Sequence, residues 1–186
     1  MYFLDFPSEI ITGIREVDID SLKCHEEGAQ IVLTNAPVAM RMGEINKLAE
    51  KINAPVVACD VSNAEDVDNL INKAIEHFGG GFDFILHSIG MSLNVRKGKH
   101  YTEIDYAHNL KTFEISSMSL HRVLAACMKK DAINDWGSVI ALSYIAAQRV
   151  FPDYNEMADA KSLLESVARS FGYHYGVKKH VRVNTI

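Results

Sequence analysis

The sequence predicts an α/β fold, a Rossmann-like doubly wound parallel sheet in three αβα layers, and two observations lead to this prediction. From Gln30 onwards, short apolar runs of strand length alternate with stretches of helical length, as in a parallel sheet with crossover helices. The chain has 186 residues, of which 48% are hydrophobic and 23% charged, which is the composition of an ordinary globular domain. We therefore expect residues 1–186 to form a single domain.

The strands are predicted from short apolar runs. A first strand is expected to end with Glu9-Ile10-Ile11-Thr12-Gly13. Further strands are predicted at residues 30–34, 55–59, 82–87, 137–143 and 180–185, because each run is apolar and of strand length. Six strands joined by helices are enough for a doubly wound sheet.

Helices are predicted between the strands, at residues 38–51, 64–78, 106–129 and 154–172. The last helix can bury one side and present the other to a ligand, because one stripe carries Ala160, Leu163, Leu164, Val167 and Phe171. Gly79-Gly80-Gly81 lies between a helix and a strand, where a helix C-cap and a turn are a better interpretation than a phosphate loop.

Bulk properties exclude several classes of protein. A net charge of -5 gives no reason to expect a nucleic-acid partner. Three widely spaced cysteines predict neither a disulfide framework nor a metal site, and the histidines show no ligand spacing, so no metal is expected. No apolar run reaches the ~18 residues that span a bilayer, and the first residues lack the basic start of a signal peptide. The expected location is the cytoplasm, with no membrane association.

Tyr154 and Lys161 form the strongest candidate for a catalytic pair. Pro152 and Asp153 predict a helix start with Asp153 as the N-cap and Tyr154 in the first turn. Lys161 then falls on the same face, roughly 10 Å further along the axis, so the two long side chains can reach one small molecule. A lysine charge lowers the pKa of a nearby phenol, which predicts that Tyr154 acts as an acid or electrostatic stabiliser.

The spacing of this pair resembles that of a known family. Tyr144 lies ten residues before Tyr154, and Lys161 seven residues after it. Other matching segments are His-Ser-Ile-Gly at 87–90, Ile-Ser-Ser at 115–117, Leu-Ser-Tyr at 142–144 and Val-Arg-Val-Asn at 181–184. Together they resemble the enoyl-acyl-carrier-protein reductases of bacterial fatty-acid synthesis, in the short-chain dehydrogenase/reductase superfamily, over about residues 28–186.

The resemblance implies an activity and roles for three residues. It implies an enzyme that uses NADH to reduce the trans-2 double bond of enoyl thioesters carried on acyl carrier protein. Tyr154 would stabilise the enolate by a hydrogen bond, Lys161 would hold the nicotinamide ribose, and Tyr144 would be a second phenol at the reacting end. It also implies a homotetramer assembled through the helices at 106–129 and 154–172. We expect the outer faces of these helices to carry Leu120, Val123 and Leu124.

Further cofactor contacts are implied at the ends of the strands, where open parallel sheets bind ligands. By resemblance, Gly13 is the first glycine of the phosphate turn, Asp60 and Val61 lie at the adenine, and Ser88, Ile89 and Gly90 lie along the ribose. Asp60 has a second interpretation as the cap of the next helix, a role that Ser62 could fill equally well. The second strand ends without the acidic residue that favours NADH or the arginine that favours NADPH, so NADPH stays open.

The two ends of the chain depart from the family pattern. Residues 1–25 are irregular, and the stretch after Gly13 lacks the Ser-Ile-Ala start of the family's first helix. It also places Glu16, Asp18 and Asp20 near the expected diphosphate. We therefore expect the chain to bind NADH weakly or not at all. The sequence stops at Ile186, where the family continues with a cofactor-contacting segment, helices over the acyl chain and a last strand. We expect an uncovered substrate pocket and one unpaired sheet edge.

Two other functions remain open at this stage. A carbonyl reductase of the wider superfamily would carry its lysine four residues after the tyrosine, but residues 155–160 contain no lysine. A non-catalytic Rossmann-like domain that serves assembly is the third possibility, favoured by the irregular first turn.

Several polar residues have both a structural and a functional interpretation. His87 ends a buried strand, where a hydrogen-bonded structural role is the more common one. Ser116, Ser117 and Ser119 lie in a helix, where hydroxyls bond back to a carbonyl or contact the site. The basic loop at 96–100 is expected to be a solvated turn, or else a contact for an acidic carrier protein.

Overall fold

The computed structural model of the chain describes residues 8–13, 17–41 and 43–186. Its strands, in chain order, are β1 (Ser8–Gly13), β2 (Gln30–Asn35), β3 (Val56–Ala58), β4 (Phe82–Ser88), β5 (Ile133–Ala141) and β6 (Arg182–Thr185). They form one sheet in the order β3-β2-β1-β4-β5-β6, and all neighbouring pairs are parallel. This is the strand order of a Rossmann fold, which confirms the predicted class.

The helices, in chain order, are α1 (Val17–Glu26), α2 (Pro37–Met40), α3 (Glu44–Ile52), α4 (Ala64–Phe78), α5 (Leu93–Arg96), α6 (Tyr106–Phe113), α7 (Ser119–Lys130) and α8 (Asn155–Lys179). A π-helical segment, Glu114–Met118, joins α6 to α7. Short 3-10 turns cover Tyr101–Glu103, Ile145–Ala147 and Pro152–Tyr154. None of the described helices is long and apolar enough to cross a membrane.

The strands β2 and β4 are buried on both faces, which makes three layers. In β2, Val32 packs with α4, α7 and α8 in the larger core, while Ile31 and Leu33 pack with α3 in the smaller one. In β4, Ile85 and Leu86 divide between the two cores in the same way. Apolar runs without alternation are therefore required, since successive side chains enter opposite cores.

The register brings the carboxyl ends of the central strands to one edge. Gly13 at the end of β1 lies opposite Ser88 at the end of β4, and His87 lies opposite Ala141 of β5. The chain order reverses between β1 and β4, and a doubly wound sheet opens its ligand crevice at this switch point. The fold therefore assembles the predicted site segments along one edge.

Two helix predictions fail at glycines, for opposite reasons. The helix expected at 38–51 is divided into α2 and α3, because Gly43 adopts a left-handed conformation with φ of 73°. The helix expected to stop at Gly172 continues to Lys179. A Cβ at Gly172 would lie 3.6 Å from the backbone oxygen of Val183, so this glycine allows α8 to pack closely on β6 and does not end the helix.

The start of α8 and of β5 also differs from the prediction. Asp153 is not the N-cap: Tyr154 occupies that position without a side-chain cap, and the first helical residue is Asn155. The strand predicted at 137–143 begins at Ile133. The register between β4 and β5 shifts in this region, and Trp136 has a φ of 65°. A β-bulge therefore lies in this first part of the strand.

Caps and cysteines complete the comparison with the sequence. Gly79 is the left-handed C-cap of α4, as predicted. The cap at the start of α4 is neither Asp60 nor Ser62 but Asn63, whose side chain accepts the N–H groups of Glu65 and Asp66. No disulfide joins the three cysteines, and the described residues contain no group of three or more side chains that could hold a metal ion.

The residues expected on the outer helix faces lie in the core. Leu120, Val123 and Leu124 are buried against α4, α8 and the sheet, so the expectation that they face a second subunit is wrong. The exposed apolar side chains of α6 and α8 are instead Tyr106, Leu110, Tyr173 and Val177. Helical periodicity identified a common face but not what covers it.

Candidate active site

The ammonium group of Lys161 is held between the ends of two strands. Its Nζ donates to the carbonyl of Leu142, just after β5, at 2.6 Å and to that of Ile89, just after β4, at 3.4 Å. The side chain is 7% exposed, and this burial lowers the pKa of the lysine from 10.5 to about 8. Two carbonyl acceptors fix the charge at the carboxyl edge of the sheet.

The two tyrosines of the candidate site lie against one another. The rings of Tyr144 and Tyr154 have centroids 4.7 Å apart at a tilt of 44°, and Phe151 packs on the other side of Tyr144 at 5.3 Å. Tyr154 lies in the 3-10 turn that precedes α8, and not in the first helical turn. Its pKa is raised above the ordinary value by burial and by the neighbouring Tyr144, so the expected lowering by a lysine charge is wrong for this state.

Tyr154 opens onto a cavity of about 150 Å³ beside the end of β4. The residues that line it are Gly90, Met91, Ser92, Val95, Arg96, Tyr154 and Met157. A Cβ at Gly90 would lie 3.8 Å from Cε of Met157 and 3.9 Å from Nζ of Lys161. Gly90 therefore lies between Met157, which lines the cavity, and the ammonium of Lys161, within van der Waals reach of both.

The remaining predicted cofactor residues follow the same edge of the sheet. Gly13 is paired with Ser88, although residues 14–16, which would form the turn after β1, lie outside the described residues, as do the side chains of Asp18 and Asp20. Asp60 and Val61 follow β3, three strands away from β4, or about 14 Å at the usual strand spacing. The segments thus follow the carboxyl ends of neighbouring strands, and the cavity lies beside the end of β4.

Asp60 organises the turn after β3. One carboxylate oxygen accepts the backbone N–H of Ser62 at 2.9 Å and its hydroxyl at 2.7 Å. These hydrogen bonds lower the pKa of the exposed Asp60 carboxyl. The carbonyl of Val61 accepts a hydrogen bond from Arg122 of α7. The turn is fixed from both sides, so its edge can present a firm surface to a ligand.

His87 has the structural role that was the preferred interpretation. Its Nε2 lies 2.8 Å from the hydroxyl of Ser119, and that hydroxyl donates to the carbonyl of Ile115 at 2.6 Å. Nε2 must therefore donate the proton. Burial, followed by the charge of Lys161, lowers the pKa of His87 to about 3, so the ring stays neutral. A neutral, fully buried imidazole is not a proton donor to a ligand.

The serines before α7 connect the elements around the cavity. The hydroxyl of Ser116 donates to the carbonyl of Met91 and accepts its N–H, at 3.1 and 2.9 Å. Ser117 donates to the carbonyl of Ala160 in α8 at 2.6 Å. Only Ser119 bonds back within its own helix. The π-helical segment directs Ser116 and Ser117 towards two different neighbours, which sequence periodicity could not predict.

Sequence reasoning also missed two carboxylates on α8. Glu165 accepts the hydroxyl of Ser143 at 2.8 Å, beside Tyr144. Glu156, two residues after Tyr154, is fully buried next to the cavity. A signal existed: Glu156 lies one helical turn before Ala160 on the stripe that the sequence marked as buried, where a charged residue is out of place.

The fold and site together define a protein of the short-chain dehydrogenase/reductase class: a parallel sheet, with a tyrosine and a lysine at the start of the helix after β5. Within that class, residues 21–186 match the family described as enoyl-(acyl carrier protein) reductase. The chain belongs to this family.

Relatives and solved structures agree with this assignment. The chain is 32% identical to enoyl-[acyl-carrier-protein] reductase [NADH] 1 of Rhizobium meliloti, over 87% of this chain and 58% of that protein. It is 32% identical to the FabI reductase of Aquifex aeolicus, over 100% of this chain and 69% of that protein. The FabI–NADH complex of Alistipes finegoldii is 56% identical with a TM-score of 0.94, over 96% of this chain and 65% of that one. The chain thus spans little more than half the length of the Rhizobium relative.

Proposed function

We propose that the chain carries the active site of an enoyl-acyl-carrier-protein reductase, which reduces the trans-2 double bond of enoyl thioesters in fatty-acid biosynthesis. The observation that carries the proposal is the joint position of Tyr154, Gly90 and Lys161. Tyr154 and Gly90 line the same cavity, and the buried ammonium of Lys161 lies next to Gly90. The names of the relatives, which are reductases, support the same chemistry.

Three side chains have distinct tasks in this proposal. Tyr154 donates a hydrogen bond to the thioester oxygen, where negative charge develops as the double bond is reduced. A tyrosine with a raised pKa keeps its proton, so it can serve as a donor at neutral pH. Tyr144 is 41% exposed, and its tilted ring packs against that of Tyr154. It therefore limits the positions of the Tyr154 phenol and offers a second hydroxyl. Lys161 orients the ribose of the cofactor.

We propose that the dinucleotide lies along the carboxyl edge of the sheet. In support, Lys161 has donor capacity beyond its two carbonyl acceptors, and its ammonium lies next to Gly90, which has no side chain. Ser88 and Ile89 line the approach, Gly13 lies opposite Ser88, and Asp60 with Val61 would hold the adenine end. When bound, NADH supplies the hydride; the printed names of the relatives favour NADH over NADPH.

The surroundings of the cavity suit a substrate tethered to an acidic carrier protein. Arg96 lines the cavity, and Lys97 and Lys99 follow it on an exposed loop. Such a cluster of positive charge steers an acidic partner to the mouth of the site. We also propose a homotetramer in the cytoplasm, in which the exposed side chains of α6 and α8, including Leu110, are covered by other subunits.

Oxidation of NADH by the purified protein tests the proposal. We expect turnover with crotonyl thioesters and none with a β-ketoacyl thioester of the same length. Turnover with the ketone alone would instead assign the site to a carbonyl reductase. Binding without turnover of either compound would favour the non-catalytic assembly domain.

A further inference from the structure

A carboxylate with no role in the proposed chemistry is buried beside the cavity. Glu156 lies between Tyr154 and Met157, both of which line the cavity, and its side chain is 0% exposed. Its Oε1 accepts the hydroxyl of Ser92 at 2.6 Å and lies 3.0 Å from that of Thr112. Among the described residues, no cation pairs with it. Glu156 lies in the first turn of α8, where the helix dipole favours an anion.

Ser92 transmits the position of this carboxylate to the cavity wall. The hydroxyl proton of Ser92 is directed to Glu156, and its oxygen accepts the backbone N–H of Val95 at 3.0 Å. This second bond caps α5. Ser92, Val95 and Arg96 all line the cavity. The carboxylate is therefore one side chain away from the turn that forms the wall opposite Tyr154.

Thr112 connects the same carboxylate to α6. Its hydroxyl lies 3.0 Å from Oε1 of Glu156 and 3.0 Å from the carbonyl of His108, and it has one proton for the two acceptors. Glu156 thus joins three elements: α8 with Tyr154, the Ser92 turn, and α6. Its other oxygen, Oε2, is buried and accepts no hydrogen bond from the described residues.

This arrangement is a poor way to stabilise a fold. A buried carboxylate with one oxygen unpaired costs free energy, and an apolar side chain of similar size at this position would often be neutral or better. The carboxylate instead provides one acceptor that orders two hydroxyls, those of Ser92 and Thr112, beside the cavity. A destabilising group beside a functional cavity indicates that it positions the residues around that cavity.

We propose that Glu156 is a positioning residue that holds the Ser92–Val95 wall of the cavity at a fixed distance from Tyr154, and so sets the affinity for the acyl substrate. It touches neither substrate nor cofactor. The kinetic part of this inference depends on the proposed function, whereas the ordering of the wall does not.

Hydrogen exchange and kinetics in the full chain test the inference. Glu156→Val should speed amide exchange in residues 92–97, since Val95 loses an ordered acceptor. It should raise the KM for a crotonyl thioester about tenfold, while kcat and the Kd for NADH change less than about twofold. Glu156→Gln should restore both readouts, because a single amide oxygen can accept both hydroxyls. The matched control is Glu165→Val, on the same helix, which should leave exchange at 92–97 unchanged.

Three results would overturn the inference. The first is a Glu156→Val protein with wild-type exchange and KM. The second is a Glu156→Gln protein that behaves like the valine variant. The third is a rise of KM accompanied by a parallel fall of kcat, NADH affinity and melting temperature, which would mean a purely structural role. If the wild-type chain shows no enoyl reduction, the proposed function fails, and exchange at 92–97 alone decides whether Glu156 orders the wall.

Discussion

Replacement of Lys161 by methionine should reveal the free energy that is spent on burying its charge. Lys161→Met keeps most of the aliphatic length but removes the ammonium that donates to Leu142 and Ile89. Burial lowers the pKa of Lys161 from 10.5 to about 8, and this difference corresponds to about 3 kcal/mol of unfolding free energy. Lys161→Met also loses two hydrogen bonds, and this loss offsets part of the stability gained by removing the buried charge. The contribution of the hydrogen bonds does not change with pH in the way that the burial penalty does.

The sign of the pH effect follows from which state holds the proton. Below about pH 8, both the folded and the unfolded chain carry the charge, so the folded state bears the whole penalty. Between about pH 8 and 10.5 the unfolded chain binds more protons, and stability rises with pH. His87, which faces this ammonium, is neutral throughout the range and contributes no charge of its own. Wild-type stability should therefore rise relative to Lys161→Met as pH increases.

Urea denaturation followed by circular dichroism measures this difference. We expect the unfolding free energy of wild type minus that of Lys161→Met to increase by about 3 kcal/mol from neutral pH to about pH 10.5. Lys73→Met, which removes an exposed lysine of α4, is the matched control for the loss of a surface charge. A difference that stays constant with pH would refute the reasoning, because the ammonium would then be solvated in the folded state.

Three other predictions concern cofactor, catalysis and assembly. Tyr154→Phe should lower kcat about a hundredfold with the Kd for NADH unchanged, whereas Lys161→Ala should raise that Kd; steady-state kinetics beside direct titration separate the two effects. The isolated chain should bind NADH only weakly, because acidic residues follow Gly13, and sub-micromolar binding by calorimetry would contradict this. Leu110→Glu should reduce the assembled mass in light scattering, and a wild-type chain that is monomeric at high concentration would remove the basis for the assembly prediction.

The fold was predictable because strands that are buried on both faces need continuous apolar runs, which can be recognised in the sequence. The strands at 30–34 and 82–87 were found within one residue of β2 and β4, since most positions there are apolar and enter one of the two cores. The helix at 64–78 was found without error, because its left-handed glycine at Gly79 has only one common use.

Glycine was ambiguous elsewhere for a physical reason. Gly43 interrupts a helix because its φ is positive, while Gly172 continues one because a neighbouring strand lies close to it. Both residues are glycines, and only the surrounding structure decides whether the helix ends or continues there. The same limit explains the error at Leu120 and its neighbours, whose shared face was correct but whose covering partner was not.

The residues of the site could be predicted from the sequence, but the contacts between them could not. Tyr144, Tyr154 and Lys161 were selected by spacing, and the structure brings the two phenols into contact and Lys161 next to Gly90, which lines the cavity beside Tyr154. The pKa of Tyr154, by contrast, depends on burial and on the ring beside it, neither of which spacing records. Contacts between distant segments, such as that of Ser92 with Glu156, have no local pattern in the sequence.

The π-helical segment Glu114–Met118 limits how this region can change by insertion or deletion. Such a segment holds one more residue per turn than an α-helix, so removal of one residue would restore a regular helix from α6 into α7. Five residues of a π-turn advance the chain by about the same angle as four residues of an α-helix, roughly 400°, so α6 and α7 would keep their faces after such a deletion. The deletion would instead remove the local widening that directs Ser116 to Met91 and Ser117 to Ala160. Loss of one of these five residues should therefore loosen the contacts with the segment after β4 and with α8, while the core faces of α6 and α7 stay in place.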